Sequence, residues 1–385
     1  MGIDIRLPEL KTEQSRPKAG RVGKKAAAFK MQPVRRLVQF GFLFVILWIG
    51  VEFAIWVYQL QQGQTPTVTR PPGVEGFLPI SALISLRYWI LTGVLNHIHP
   101  ASVVLLVIIL ATGVFLKKGF CGWVCPFGLL SDYLAKLHIR IFDRRFKLPK
   151  LLDYPLRSLK YLLLFFFVYA VFVQMNLFDL HAFIYSPYNR VADIKMLKFF
   201  TEMSSTTFWV LMTLVGLSLL IPHFWCRYLC PYGALLGALS WISPLKIHRN
   251  PDTCTDCKLC TRACPAHIPV HKEKVVLSDE CNSCFQCIDA CPVKDTLYLS
   301  VTRRKFKVPG LAYAGILVGL FVVGIGLARL TGYWHNRIPV EEYKYHVQHL
   351  RDPQYYHNRG AVPRYDAQRF HVPPVGKEME PPSGK

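Results

Sequence analysis

The sequence predicts a mainly α, polytopic membrane chain: two helical hairpin repeats, a small cysteine-rich segment and a fifth transmembrane helix. Three observations lead there. Hydrophobic side chains make up 52% of the 385 residues and mean hydropathy is positive. Five runs approach the roughly 20 apolar residues that carry a helix across a hydrocarbon core. All twelve cysteines lie between Cys121 and Cys291 in four short clusters, a pattern of metal ligation rather than of a disulfide scaffold.

The formal charge of +22 has to be reconciled with that apolarity. Membrane proteins do so by placing Lys and Arg in loops that stay in the cytoplasm. Here the basic residues are divided among loops between apolar runs, so the expected partner is membrane lipid and not nucleic acid. Lys24, Lys25, Lys30, Arg35 and Arg36 precede the first apolar run and no small-residue cleavage site follows, so signal-peptide removal is not expected.

The spans are expected near 37–59, 100–116, 159–177, 206–222 and 310–331. Residues 1–36 then form a basic tail, 37–116 and 159–222 the two hairpins, 117–158 and 223–250 the segments after each, 251–300 the cysteine-rich unit and 332–385 a final tail. Basic residues crowd the N-terminal tail, the 117–158 loop (Lys117, Lys118, Arg140, Arg144, Arg145) and the stretch Arg303, Arg304, Lys305, Lys307. These face the cytoplasm by the positive-inside rule. The loops 60–99 and 178–205 hold few for their length (Arg70, Arg87, Arg190, Lys195, Lys198) and face the periplasm of a bacterial inner membrane. With five crossings the tail ends in the periplasm, although its own Arg337, Lys344, Arg351 and Arg359 fit the rule poorly.

Cys254, Cys257, Cys260 and Cys264-Pro265 read C-x2-C-x2-C-x3-C-P, and Cys281, Cys284, Cys287 and Cys291-Pro292 repeat the pattern. That is the spacing of a bacterial two-cluster [4Fe-4S] ferredoxin-like segment, in which the fourth ligand of each cluster comes from the other run. Cys254, Cys257, Cys260 and Cys291 are therefore expected on one cluster, and Cys281, Cys284, Cys287 and Cys264 on the second. A pair of zinc sites would use paired C-x2-C units at longer separation. Labile thiolate-held clusters also belong in a reducing compartment.

A second duplication closes each hairpin: Cys-Gly-Trp-Val-Cys-Pro-Phe-Gly from Cys121 and Cys-Arg-Tyr-Leu-Cys-Pro-Tyr-Gly from Cys226. Cys121, Cys125, Cys226 and Cys230 are expected together at the cytoplasmic surface. Such thiols can hold a further metal centre, act as redox dithiols or bind a soft metal such as Cu(I). Their bland alternative is small buried hydrophobes at helix ends.

Glu52 lies within the first span, where a carboxylate costs roughly 2.5–3.5 kcal/mol on insertion scales, so a functional role is expected. With Glu75, His97, His99, Asp179 and His181 it makes a set suited to accepting protons from a quinol. No span offers a histidine pair for haem b, and no C-x-x-C-H run attaches haem c, so no haem is expected. The tail from Tyr333, with His346, His349, His357 and many prolines, is expected to dock on a partner rather than build its own core.

Residues 35–300, with the two Cys-x3-Cys-Pro hairpins and the two four-cysteine runs, resemble the polyferredoxin family of the NapH type, with its YccM-like members, the CcoG type and the membrane half of NosR. Arg70-Pro71-Pro72-Gly73-Val74-Glu75-Gly76-Phe77-Leu78-Pro79-Ile80 looks like the outer loop of the NapH and YccM branch. The resemblance implies electron transfer linked to the quinone pool, in service of a reductase or cytochrome partner or as a quinol dehydrogenase component. The fifth span and tail depart from the four-span NapH pattern, while the long flavin-binding region of NosR and the β-domain of the CcoG type have no counterpart. Two other readings stand beside it: a cupric reductase or metal-centre assembly factor working through the Cys-x3-Cys-Pro thiols, and a redox-sensing regulator.

Overall fold

A computed structural model describes residues 30–143, 146, 148–301, 306–356, 370 and 372–379. Of the residues used above, Lys24, Lys25, Arg144, Arg145, Arg303, Arg304, Lys305, His357 and Arg359 lie outside that set.

Fifteen α-helices, four short 3-10 or π segments and four strands are defined among the described residues. Helix α1 (Met31–Gln61) is apolar nearly all round; Phe44, Leu47, Trp48 and Val51 point outward while Phe53, Trp56 and Leu60 are buried. Then come α2 (Pro79–Thr92), ended by Gly93 at φ +73°, and α3 (Pro100–Phe115). Both start with proline, whose fixed φ and missing N–H suit the first helical turn. A short α4 (Gly119–Trp123) leads to α5 (Pro126–Phe142) and α6 (Lys150–Tyr169), which runs on as a π turn, Ala170–Gln174. Next are α7 (Leu177–Tyr185), opened by an Asn176/Asp179 capping box, α8 (Pro187–Arg190), α9 (Ala192–Thr201) and α10 (Ser205–Leu220). A π turn, Trp225–Leu229, precedes α11 (Pro231–Leu239).

The cysteine-rich unit is small and mixed. Strands β1 (Leu245–Arg249), β2 (Val275–Val276), β3 (Leu297–Val301) and β4 (Phe306–Lys307) form one antiparallel sheet in the order β2-β1-β3-β4. The short helices α12 (Leu259–Ala263) and α13 (Gln286–Asp289) sit against each other. Helix α14 (Gly310–Leu330) and α15 (Val340–Gln348) complete the chain.

Three stretches are long and apolar enough to cross a membrane, Met31–Gln61, Leu151–Gln174 and Gly310–Leu330. The expected spans 37–59, 159–177 and 310–331 fall on them. The expected 206–222 falls on α10, which reaches span length only together with α9 across a 79° bend. The expected 100–116 falls on α3, which has 16 residues and packs against α2, α11 and α14. Exposed Phe165 and Phe166 of α6, Phe208 and Trp209 of α10, and Val322 and Val323 of α14 extend the apolar exterior begun on α1. So large an apolar surface belongs in lipid, and the chain is a membrane protein.

The helices alternate in direction. At one end, the Asp289 carboxylate accepts the amides of Met31 and Gln32 at 3.0–3.1 Å, Tyr313 Oη donates to the Leu116 carbonyl at 2.9 Å and Arg227 pairs with Asp153 at 2.9 Å. So α1, α6 and α14 leave from the cysteine-rich unit while α3 and α10 return to it. At the far end a second core gathers Phe53, Trp56, Tyr88, Ile184, Tyr343 and Tyr355.

The tail is part of that far core. Glu342 of α15 pairs with Arg190, Arg190 Nη2 donates to the Phe370 carbonyl at 2.8 Å, and the Gly376 amide donates to Tyr88 Oη at 2.9 Å. Its aromatics, expected to meet a partner, cover this chain's own loops. Below them Arg70 bridges Glu75 at 2.8 Å and Asp193 at 2.6 Å, and Glu75 stands 3.5 Å from His99.

Candidate functional site

Two cavities open in the cysteine-rich unit. Cys254, Cys257, Cys260 and Cys291 line one; Cys264, Cys281, Cys284 and Cys287 line the other. In each, three cysteines come from one run and the fourth from the other. The runs reach this shape by the same local geometry. Asp256 and Lys258 flank Cys257 with φ of +49° and +60°, and Ser283 and Phe285 flank Cys284 with +48° and +61°. Left-handed residues interleaved in such loops turn successive N–H groups into one concavity, a nest suited to an anionic group.

The two cavities differ in setting. Cys257 is exposed and Cys254 half-buried, so the first is distal, open to solvent. Cys264, Cys284 and Cys287 are buried and the second is proximal, pressed on the helical domain. Gln32 Nε2 donates to the Cys284 carbonyl at 2.9 Å, and Trp123 Nε1 donates to the Ser283 carbonyl at 3.0 Å.

Directly beneath lie Cys121, Cys125, Cys226 and Cys230. Cys125 and Cys230 are the N-caps of α5 and α11, each followed by proline, and the Gly233 amide donates to Cys230 Sγ at 3.3 Å. Crowding explains the glycine of the first motif, where a Cβ on Gly128 would stand 2.1 Å from the Cys121 carbonyl oxygen; at Gly233 the nearest contact, 3.4 Å to the Cys226 carbonyl oxygen, is an ordinary one. The four thiols act on one another electrostatically, and burial pushes Cys121 up to about 12 and Cys226 up to about 11. Burial likewise pushes Cys125 up and favours the protonated form of these three bare thiols, whereas a bound metal displaces the protons. A Cβ on Gly122 would meet the Asn282 carbonyl at 2.8 Å, so this site and the proximal cavity touch through backbone.

Sequence reasoning missed the charged groups here. Lys118 and Glu280 stand 3.6 Å apart, and Lys160 and Arg157 also reach Glu280. Lys118 and two neighbouring cations hold Glu280 down to about 2 against its burial. The one signal available was position: Lys118 precedes Cys121 by three residues and Glu280 adjoins Cys281. Lys117 and Lys118 are buried, so two of the charges counted as cytoplasmic loop charge are structural.

Glu52 is half-buried on α1 and makes no hydrogen bond or ion pair with a described residue. Of the set expected with it, Glu75 and His99 meet. The Asp179 carboxylate accepts the Asn176 amide in the capping box of α7, His181 Nε2 meets the Pro373 carbonyl at 2.9 Å, and His97 lies 4.0 Å from Glu378.

Fold and cavities together define a membrane-embedded helical protein with an iron–sulfur-binding unit at one end. Residues 98–149 and 205–250 match a 4Fe-4S binding domain profile, and 246–292 match a 4Fe-4S dicluster domain profile. The chain is 42% identical to the electron transport protein YccM of Escherichia coli K12, over 80% of this chain and 88% of that one. It is 30% identical to the ferredoxin-type protein NapH of Haemophilus influenzae over 62% of this chain and 78% of that one, and 26% identical to the regulatory protein NosR of Pseudomonas aeruginosa over 38% and 20%. No solved structure matches it. The chain belongs to the NapH/YccM-like polyferredoxin family.

Proposed function

We propose that the chain is an electron-transfer protein of a bacterial inner membrane, passing electrons between the quinol pool and two [4Fe-4S] clusters on its cytoplasmic side. The observation that carries this is the pair of cavities, each lined by three cysteines of one run and one of the other. Cys254, Cys257, Cys260 and Cys291 hold the distal cluster; Cys281, Cys284, Cys287 and Cys264 hold the proximal one. Bound there, the clusters supply one-electron carriers whose potentials depend on burial and hydrogen bonding.

The family relatives favour a respiratory partner, a reductase subunit or a cytochrome c, which the exposed distal site can meet without opening the fold. Glu52 of α1, with no hydrogen-bond or ion-pair partner among the described residues, is the candidate acceptor of quinol protons. The far end is separated from the cysteines by most of a ~30 Å hydrocarbon core, so a carrier is needed between, and Cys121, Cys125, Cys226 and Cys230 hold a third centre at the proximal end of that gap.

The test is iron and acid-labile sulfide content with EPR on anaerobically purified protein. About eight irons in two cubanes, beyond any iron held at the four-thiol site, with the cubanes becoming reduced on adding a quinol analogue, support the reading. Absence of either cubane, or indifference to quinol, overturns it. Loss of iron in Cys121→Ser/Cys226→Ser assigns the third centre; unchanged iron removes it.

A further inference from the structure

The four-thiol site carries a charge imbalance. Lys118 is 4% exposed, and an uncompensated buried ammonium is costly. Its carboxylate neighbour Glu280 is shared: Lys160 contacts it and Arg157 lies 3.3 Å away. The adjacent Asp279 faces Arg157 at 3.4 Å and Lys160 at 3.9 Å and accepts the Tyr161 hydroxyl. Three cations thus meet two carboxylates. Nearby acids are already matched, Asp132 by Arg35 and Asp153 by Arg227. What remains before Lys118 is the second Cys-x3-Cys-Pro turn: its Nζ stands 3.7 Å from where a Cβ on Gly233 would lie, and the Gly233 amide donates to Cys230 Sγ.

We propose that Lys118 is the counter-cation of the four-thiol site, and that the Lys118–Glu280 pair ties the charge on that site to the redox potential of the proximal cluster. This rests on the assignment of Cys264, Cys281, Cys284 and Cys287 to that cluster. Glu280 is the residue before Cys281 and is buried, and the Gly122 and Asn282 backbones stand in close approach between the two sites. One electron passing between them moves one negative charge; the site that loses it is oxidised, the other reduced, and no further reactant is consumed. Lys118 and Glu280 are positioning residues in this scheme. A positive charge beside a cluster favours its reduced form and a negative charge disfavours it.

The experiment is an EPR-monitored redox titration of the full-length protein, with the proximal signal identified by its loss in Cys284→Ser. Lys118→Met is expected to shift the proximal midpoint to more negative potential and Glu280→Gln to shift it to more positive potential. Lys118→Arg, which keeps the charge, is expected to titrate like the wild type. The distal signal stays put in all three. Opposite signs are the signature that mere structural damage does not produce. Unmoved proximal potentials, shifts of the same sign in Lys118→Met and Glu280→Gln, or a Lys118→Arg shift as large as that of Lys118→Met overturn the proposal. A proximal signal that survives Cys284→Ser overturns instead the ligand assignment beneath it.

Discussion

Cys264 is the residue at which sequence neighbourhood and spatial role part company. It belongs to the first run, yet it lines the proximal cavity with Cys281, Cys284 and Cys287. Cys264→Ser is therefore expected to abolish the same EPR signal as Cys284→Ser and leave the distal one; loss of the distal signal instead contradicts the crossed assignment. The grouping of cysteines around each cavity was legible because the spacing within each run is local. Arg70 was not, because Asp193 lies 123 positions away. Removing one partner of a buried ion pair costs about 3 to 5 kcal/mol, and here one guanidinium holds two buried carboxylates. Arg70→Ala is expected to lower the thermal midpoint markedly and Arg70→Lys by less, since Lys keeps the charge but not the fork that reaches both acids. His97 adds a pH dependence. Burial, then the Arg337 charge, push it down from 6.5 to about 4. A base depressed in the folded state stabilises above its unfolded value and loses that stability as pH falls from about 6.5 towards 4. Thermal midpoints measured between pH 7 and 5 are expected to fall, and His97→Gln to flatten that slope; an equal slope in both removes His97 as its cause.

At the scale of elements, the apolar runs were legible from hydropathy, while their lengths depended on the residues at their ends. Helix α10 stops at Leu220, shortly before Pro222 and a His223 with φ of +63°. Helix α6 begins well before the apolar run at 159 because Lys150–Lys160 belongs to its first three turns, with Asp153 anchored by Arg227. The tail was the least legible element. Its prolines and histidines read as an arm for a partner, but its partners in the structure are Arg190, Tyr88 and His181 from three distant segments, which no local pattern announces. Deletion of residues 333–385 is expected to lower the thermal midpoint by uncovering Trp56 and Arg190, with iron content unchanged because the cysteines lie at the other end. Iron lost in proportion to stability shows instead that the two ends fold as one unit.

For the whole molecule the open variable is which way it faces. The positive-inside argument drew on Lys117 and Lys118, which are buried and serve Val276 and Glu280, and on Arg35, which is buried against Asp132 and the Gly122 carbonyl. Charges engaged in this way are held by the fold whichever side they face, so the sidedness rests on fewer free cations than the sequence count implies. The structure supplies a different constraint: the N-terminal end of α1, the four-thiol site and the cysteine-rich unit share one end, and α15 with the tail occupies the other. Orientation is therefore a single yes-or-no quantity, since no part can reverse without the rest. Alkaline phosphatase fused after Met379 is expected to be active, and green fluorescent protein fused there dark, because the first needs the periplasm and the second the cytoplasm. The reverse pattern would put the exposed Cys257 and the half-buried Cys254 of the distal cavity in an oxidising compartment where thiols are drawn into disulfides, and the proposed iron–sulfur role would lose its chemical setting along with its topology.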